Sequence, residues 1–386
     1  MHSSIASFVG TFGKRRARRT AVAAWVVTAA ACGSDAPSAP PSSATLTLAS
    51  VSGHLERGDT VRAVLHDGAD SVAGAALSLG VTPADAATVL PNGLLVLRRA
   101  ASVTVVATAG ARTASATVTV AAPPAILFDA DVDGNRDIYR AALDGGDLAR
   151  LTTAALDDEH PTAAAGTVLF VSYRDGQAAI YSSGTAAIAE HRLAAAPLGA
   201  SSPALSADGR RLAFVRDQGG VDRVWVAAAD GSGAALLVGG GGGQPESSPA
   251  WSPDGRVTFT STATGQADLV SAADAPPATP LSIAAANSSA AEVEGAWSTD
   301  GRRLAFVSTR GGASALYVLT VATGAVTRVS APDESAGQPS WLADGRIVYV
   351  VTRGAASLLR WVDPATGQAR DVPAPGSTPR HPVESR

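Results

Sequence analysis

Cysteine, methionine and lysine occur once each in 386 residues, as Cys32, Met1 and Lys14. A lone cysteine excludes both a disulfide framework and a cysteine zinc site within one chain. The other basic residues are arginines, a bias of GC-rich coding sequence that carries no functional information. Acids outnumber bases beyond the N-terminus. The net charge is −4, yet residues 1–31 hold five basic residues and no acid, so the remainder stands at −9. A domain that acidic lacks the electrostatic footprint of a nucleic-acid binder, and no nucleic-acid partner is expected. Motifs of chemistry are missing too. There is no GxSxG elbow, no HExxH, no GxxxxGK-Ser/Thr phosphate loop and no dinucleotide fingerprint. The run Gly239–Gly243 has no Lys-Ser/Thr after it and reads as a flexible connector.

What is present begins with GKRRARRT (13–20) followed by AVAAWVVTAAA (21–31). The apolar run is about half of the roughly 20 residues that a spanning helix needs, so a permanent transmembrane helix is not expected. A basic segment, a short apolar segment and small residues before a cut site make residues 1–31 an export signal. Cys32 follows Ala29-Ala30-Ala31 directly, and a Pro/Ser-rich stretch follows it. This resembles a bacterial lipoprotein lipobox, with Ala29 where that pattern favours a large aliphatic residue. The resemblance implies a lipidated Cys32 as the first mature residue. Ordinary cleavage after the Ala-x-Ala of 29–31, leaving a free thiol, is the alternative. Gly33 stands where an inner-membrane retention signal has Asp. Residues 32–43 read as the lipidated cysteine and a flexible tether.

Residues 44–121 contain short alternating β runs: 44–50, 59–67, 75–83, 87–97, 102–110 and 113–120. Turn residues separate them every 8–12 residues, the pattern of a β-sandwich. Ala87-Thr88-Val89, Asn92-Gly93-Leu94 and the closing TASATVTV (113–120) resemble bacterial Ig-like domains of the invasin type. The resemblance implies a spacer without chemistry of its own.

The rest of the chain repeats. An aromatic ends a β run at Phe128, Phe170, Phe214, Phe259, Phe306 and Tyr349, at steps of 42, 44, 45, 47 and 43 residues. Eleven residues after each stand Tyr139, Tyr181, Trp225, Val270, Tyr317 and Arg360. Trp361 comes one place late, which predicts a distorted last copy. SADGR (206–210), SPDGR (252–256), STDGR (298–302) and LADGR (342–346) predict two-residue hairpin turns with positive φ. Trp251, Trp297 and Trp341 recur three residues ahead of the Asp in the last three of these. Each unit reads as four strands, in one case 249–252, 256–261, 267–273 and 280–284. Such units bury their faces only against one another, by closing radially. The pattern over 125–386 resembles TolB-type β-propeller repeats, with AWSTDGRRLAFVSTRGGASALYVL (296–319) as a close match. The fold class expected is all-β: an Ig-like sandwich followed by a propeller of six four-stranded blades.

DADVDGNRDIYR (129–140) places Asp129, Asp131, Asp133 and Gly134 as in an EF-hand calcium loop, but Arg140 stands where a bidentate Glu belongs. The repeat makes it a hairpin between the second and third strands of the first blade. A calcium ion on Asp129, Asp131 and Asp133 is the alternative.

Aligning the units on the residue before the inner-strand Pro gives His160, Ser202, Ser248, Glu294, Gln338 and His381. These would ring one mouth of the central channel, with His160 and His381 as neighbours and Asp157, Asp158 and Glu159 beside them. A polar ring holding water is the plain reading; two histidines with carboxylates binding a divalent metal is the other. No cofactor is otherwise expected.

The first unit begins at Ala125 without an inner strand, and residues 382–386 are expected to supply it beside Ile126–Phe128. The protein is expected to be exported, monomeric and non-enzymatic, tethered to the membrane through Cys32 and facing the periplasm or cell exterior; the TolB resemblance implies a propeller that serves as an interaction platform in the envelope, with an envelope protein or ligand as partner. The alternative is a propeller enzyme of the lactonase or sugar-dehydrogenase kind, with a metal or cofactor in the channel.

Overall fold

The computed structural model describes residues 26–30, 44–50, 55–67, 70–184, 190–239 and 243–385. Cys32, the tether and most of the expected export signal lie outside the described residues. The chain divides into two compact units, Met1–Leu55 with Asp59–Val120, and Glu56–Gly58 with Ala121–Arg386. Among the described residues, no helix is long and apolar enough to cross a membrane.

The first unit is two antiparallel sheets. One runs in the order Val26–Ala30, Thr45–Ser50, Thr60–Asp67, Leu94–Leu97, Ala87–Leu90, with Asp70–Ala73 also paired to Thr60–Asp67. The other is Ser78–Thr82, Ser102–Ala109, Arg112–Thr119. Alternate residues of both, among them Leu46, Leu48, Val61, Leu65, Val103 and Val105, enter one core, as period-2 patterning requires. One expectation changes here. The run 87–97 is a hairpin and not one strand, because Asn92 and Gly93 take positive φ (65° and 70°) and turn the chain after Pro91. Val26–Ala30, inside the expected export signal, is the edge strand beside Thr45–Ser50.

The second unit contains six four-stranded antiparallel sheets among the described residues. The aromatic of each repeat sits in its second strand and is fully buried, from Phe128 to Tyr349. Burying such a ring contributes about 1.5–3 kcal/mol. The eleven-residue spacing is a cross-strand register: Phe128 faces Tyr139, Phe170 faces Tyr181, Phe214 faces Trp225, and so on to Tyr349 facing Arg360. The last copy is therefore in register. Arg360 holds the usual place and pairs with Glu334 and Asp371, while Trp361 points to the opposite face and packs against the first sheet.

Alternation along each second strand joins neighbouring sheets. Leu127 packs with Phe170 of the second sheet, whereas Ile126 and Phe128 pack with Val348 and Val350 of the sixth. Equivalent clusters join the second sheet to the third and the third to the fourth. Others join the fourth to the fifth and the fifth to the sixth. The cycle of contacts is closed. Trp251, Trp297 and Trp341 add polar staples: their indole N–H groups donate to Ala204 O, Thr258 Oγ1 and Ala296 O, one sheet back.

The first sheet is completed by the C-terminus. Its order is Ala149–Arg150, Asn135–Ala142, Ala125–Val132, Arg380–Glu384, with Ile126 opposite Glu384 and Leu127 opposite Val383. The strand begins two residues before the expected 382 and ends at Glu384. Gly376 (φ 73°) carries the chain past the Asp131 carbonyl, where a Cβ would collide.

The Asp-Gly turns differ from the two-residue form expected of them. In SPDGR the Ser252 N–H donates to Arg256 O and the Gly255 N–H to Ser252 O, which makes a three-residue loop. In SADGR the closing pair is Ser206 and Arg211, one residue wider. Only the glycine takes positive φ, 67° at Gly209 and 80° at Gly255. The reason is the aspartate, whose carboxylate accepts the Arg210 N–H and the Ser206 hydroxyl and so holds Asp208 in an ordinary turn conformation. The two-residue turn occurs elsewhere. Asp133 and Gly134 (φ 58° and 85°) close Val132 onto Asn135, so DADVDGNRDIYR is a hairpin.

Candidate functional site: a ring of left-handed residues

In every inner strand one residue lies in the left-handed region: His160 (54°), Ser202 (47°), Ser248 (51°), Glu294 (56°), Gln338 (52°) and His381 (48°). Pro follows five of them and Gly295 the sixth. Each sits where the inner strand's register slips, for example between Glu159 and Thr162 or between Val293 and Ala296. That is a β-bulge, and a Pro at the extra residue removes a donor the ladder could not have satisfied. Left-handed non-glycine backbone costs of the order of 1 kcal/mol per residue, held here by the flanking ladders. The bulges bring all six residues, with the prolines, around one cavity of about 380 Å³.

Hydrogen bonds link much of the ring. The Gln338 N–H donates to Glu294 Oε2 at 2.6 Å, and the His381 N–H to Gln338 Oε1 at 3.0 Å. The His160 N–H donates to Asp129 Oδ1 at 3.2 Å, and the Glu294 N–H to Thr260 Oγ1 at 3.3 Å. His381 Nδ1 lies 2.6 Å from Asp129 Oδ1, and its ring stacks on His160 at 3.6 Å. Asp129 is fully buried and also paired with Arg136, which donates onward to Thr378.

Of the acids expected beside His160, only Glu159 faces it, with His160 Nδ1 3.6 Å from Oε1. The His160 side chain, and then its charge and the Tyr173 hydroxyl, hold the Glu159 carboxyl at about 2 against the opposing effect of burial. Asp158 is buried against Arg174, and Asp157 caps the Arg136 N–H. The calcium candidates are not gathered. The extended strand Ala125–Val132 carries Asp129 into the ring, while Asp131 accepts the Gly134 N–H and Asp133 stands at the turn. Among the described residues, no group of three or more His, Cys, Asp or Glu side chains is arranged to hold a metal. No serine hydroxyl there hydrogen-bonds either imidazole. The sequence reading missed Thr260 and the ring role of Asp129. The available signal was a polar residue directly after the buried aromatic, where Val171, Val215, Val307 and Val350 stand in the other repeats.

Four-stranded sheets packed in a closed cycle, with inner strands lining a central cavity, define a β-propeller. The chain belongs to the TolB beta propeller domain family (PD40), whose sequence profile matches residues 124–292 and 245–374. No curated protein matches it by sequence. Among solved structures it is similar to TolB from Acinetobacter baumannii, with 15% identity over 88% of this chain and 82% of that one and a TM-score of 0.59. It is also similar to a putative TolB from Agrobacterium tumefaciens, with 15% identity, 64% and 87% coverage and a TM-score of 0.51. A chain of the nidogen/laminin complex matches at 13% identity, 67% and 97% coverage and a TM-score of 0.52. At these identities the likeness is one of fold.

Proposed function

We propose that this chain is an exported lipoprotein whose six-bladed propeller is a non-enzymatic binding platform in the cell envelope. Its N-terminal unit is an Ig-like spacer, and the chain is tethered to the membrane through Cys32. The observation that carries the reading is the ring. Six polar side chains converge on one cavity, and four of their N–H groups are tied to side chains of the preceding sheet, so the surface is ordered before a ligand arrives. Pre-ordering lowers the entropic cost of recognition. The bound species is an envelope protein or ligand, and the platform works as a monomer.

The test uses the exported chain as bait on envelope extract, beside a His160→Ala/Glu294→Ala variant, at a temperature where both are fully folded. A partner retained by the first and lost by the second supports the platform. Equal capture by both contradicts it.

A further inference from the structure

Each left-handed N–H that finds an acceptor finds it in one of two places in the preceding sheet. One is the previous ring residue, as Glu294 serves Gln338 and Gln338 serves His381. The other is the residue after the buried aromatic, as Asp129 serves His160 and Thr260 serves Glu294. The two alternate: where Val307 or Val350 cannot accept, a long ring side chain does.

At Ser202 and Ser248 both fail. The residues after the aromatic are Val171 and Val215, which are apolar. The previous ring residue of Ser248 is Ser202, whose side chain is too short to reach the next sheet. That of Ser202 is His160, whose ring is stacked on His381 on its other side. The inner-strand register is the same in these sheets as in the others, with Ser201 opposite Val215 and Ser247 opposite Thr260 as Glu159 is opposite Val171. Their φ values also match, so the two N–H groups point as the other four do. Among the described residues no side chain accepts from them.

We infer that Ser202 and Ser248 form a carboxylate subsite in the ring cavity, a reading that rests on the platform proposed above. Two N–H donors from adjacent sheets and two hydroxyls meet the two oxygens of a carboxylate. The ligand's oxygens take the place that side-chain oxygens fill at the other four positions. Glu294, the neighbouring ring anion, turns Oε2 toward the Gln338 N–H. The chain's negative charge gives no long-range steering of an anion, so recognition is by these short contacts.

The test is an amide NMR titration of the isotope-labelled exported protein with sodium acetate and, separately, acetamide. The Ser202 and Ser248 resonances should move with acetate and stay with acetamide. Val171→Thr/Val215→Thr supplies acceptors as Thr260 does, and should weaken acetate binding about tenfold, the effect of roughly 1.4 kcal/mol. Acetate that moves neither resonance, or that binds the double variant equally, overturns the subsite. If the double variant unfolds, the wild-type resonances decide alone. Acetyl-Ala-Ala and its amide distinguish the source: tighter binding of the peptide acid than of acetate assigns the carboxylate to a peptide, and equal binding to a free small acid. A chain that captures no partner yet shows these shifts loses the platform and keeps the subsite. One that captures a partner while both resonances stay still keeps the platform and loses the subsite.

Discussion

The imidazoles of His160 and His381 stack with centroids 3.6 Å apart and planes 29° from parallel, one from the second sheet and one from the last strand of the chain. Asp129 of the first sheet touches both residues, accepting the His160 N–H and holding His381 Nδ1. Three separate segments thus meet at the seam where the ring closes. A buried carboxylate, a guanidinium and two rings join the apolar contact at this seam.

Ending the chain at Gly376 should open this seam. The strand Arg380–Glu384 is lost, the inner edge of Ala125–Val132 is bared, and Asp129 loses His381. Loss of the hydrogen bond between His381 and the buried Asp129 alone costs about 1.5–3 kcal/mol. For a unit of this size that is a fall of roughly 3–12 °C in melting temperature by calorimetry. A truncated protein that melts with the full-length one would show that these residues are a free tail.

Glu159 supplies a pH dependence. Its carboxyl sits at about 2 instead of the ordinary 4.5, first because of His160. A folded-state value below the unfolded one stabilises the native state above about pH 4.5, and this contribution fades as pH falls toward 2. In His160→Ala the carboxyl should return to 4.5 or higher, since burial then meets less opposition. Carboxyl-carbon NMR titration reads both forms, and an unmoved value in His160→Ala would refute the assignment.

Ala165 closes a two-residue hairpin between Ala164 and Thr167 at φ 50°, a left-handed position without a functional side chain. Ala165→Gly should raise stability by about 0.5–1 kcal/mol, because relief of the Cβ clash outweighs the added freedom of the unfolded chain. Denaturant titration would expose a mistake as a lowered midpoint at unchanged slope.

The spacing of the aromatics made the repeat readable, since a fixed offset between Phe128 and Tyr139, or Phe306 and Tyr317, is a cross-strand register written along the chain. The inner-strand prolines marked five of the six ring residues, and the repeat spacing gave Glu294, which Gly295 follows. What stayed hidden depended on side-chain reach across sheets. Asp129 looked like part of a calcium loop because Asp131, Asp133 and Gly134 follow it. Only the packed sheets show that it faces His160 and His381, while the other two serve the turn. The Asp-Gly turns misled because Asp-Gly suits loops of two, three and four residues, and the choice falls to whether the aspartate bonds its own loop, as Asp208 does. The sixth repeat looked distorted because register is kept by backbone pairing, which tolerates Arg360 where the others carry apolar residues.

The tether is tested through its only cysteine. Cys32→Ala should move the protein from the membrane fraction to the soluble fraction, and an unchanged partition would remove lipidation from the account.

The central claim is that the ring cavity is the binding face, and the dissociation constant of the captured partner measures it most directly. His160→Ala/Glu294→Ala should weaken that constant at least tenfold, about 1.4 kcal/mol, measured at a temperature where the variant is fully folded. A folded variant with the wild-type dissociation constant would place the binding face elsewhere on the molecule.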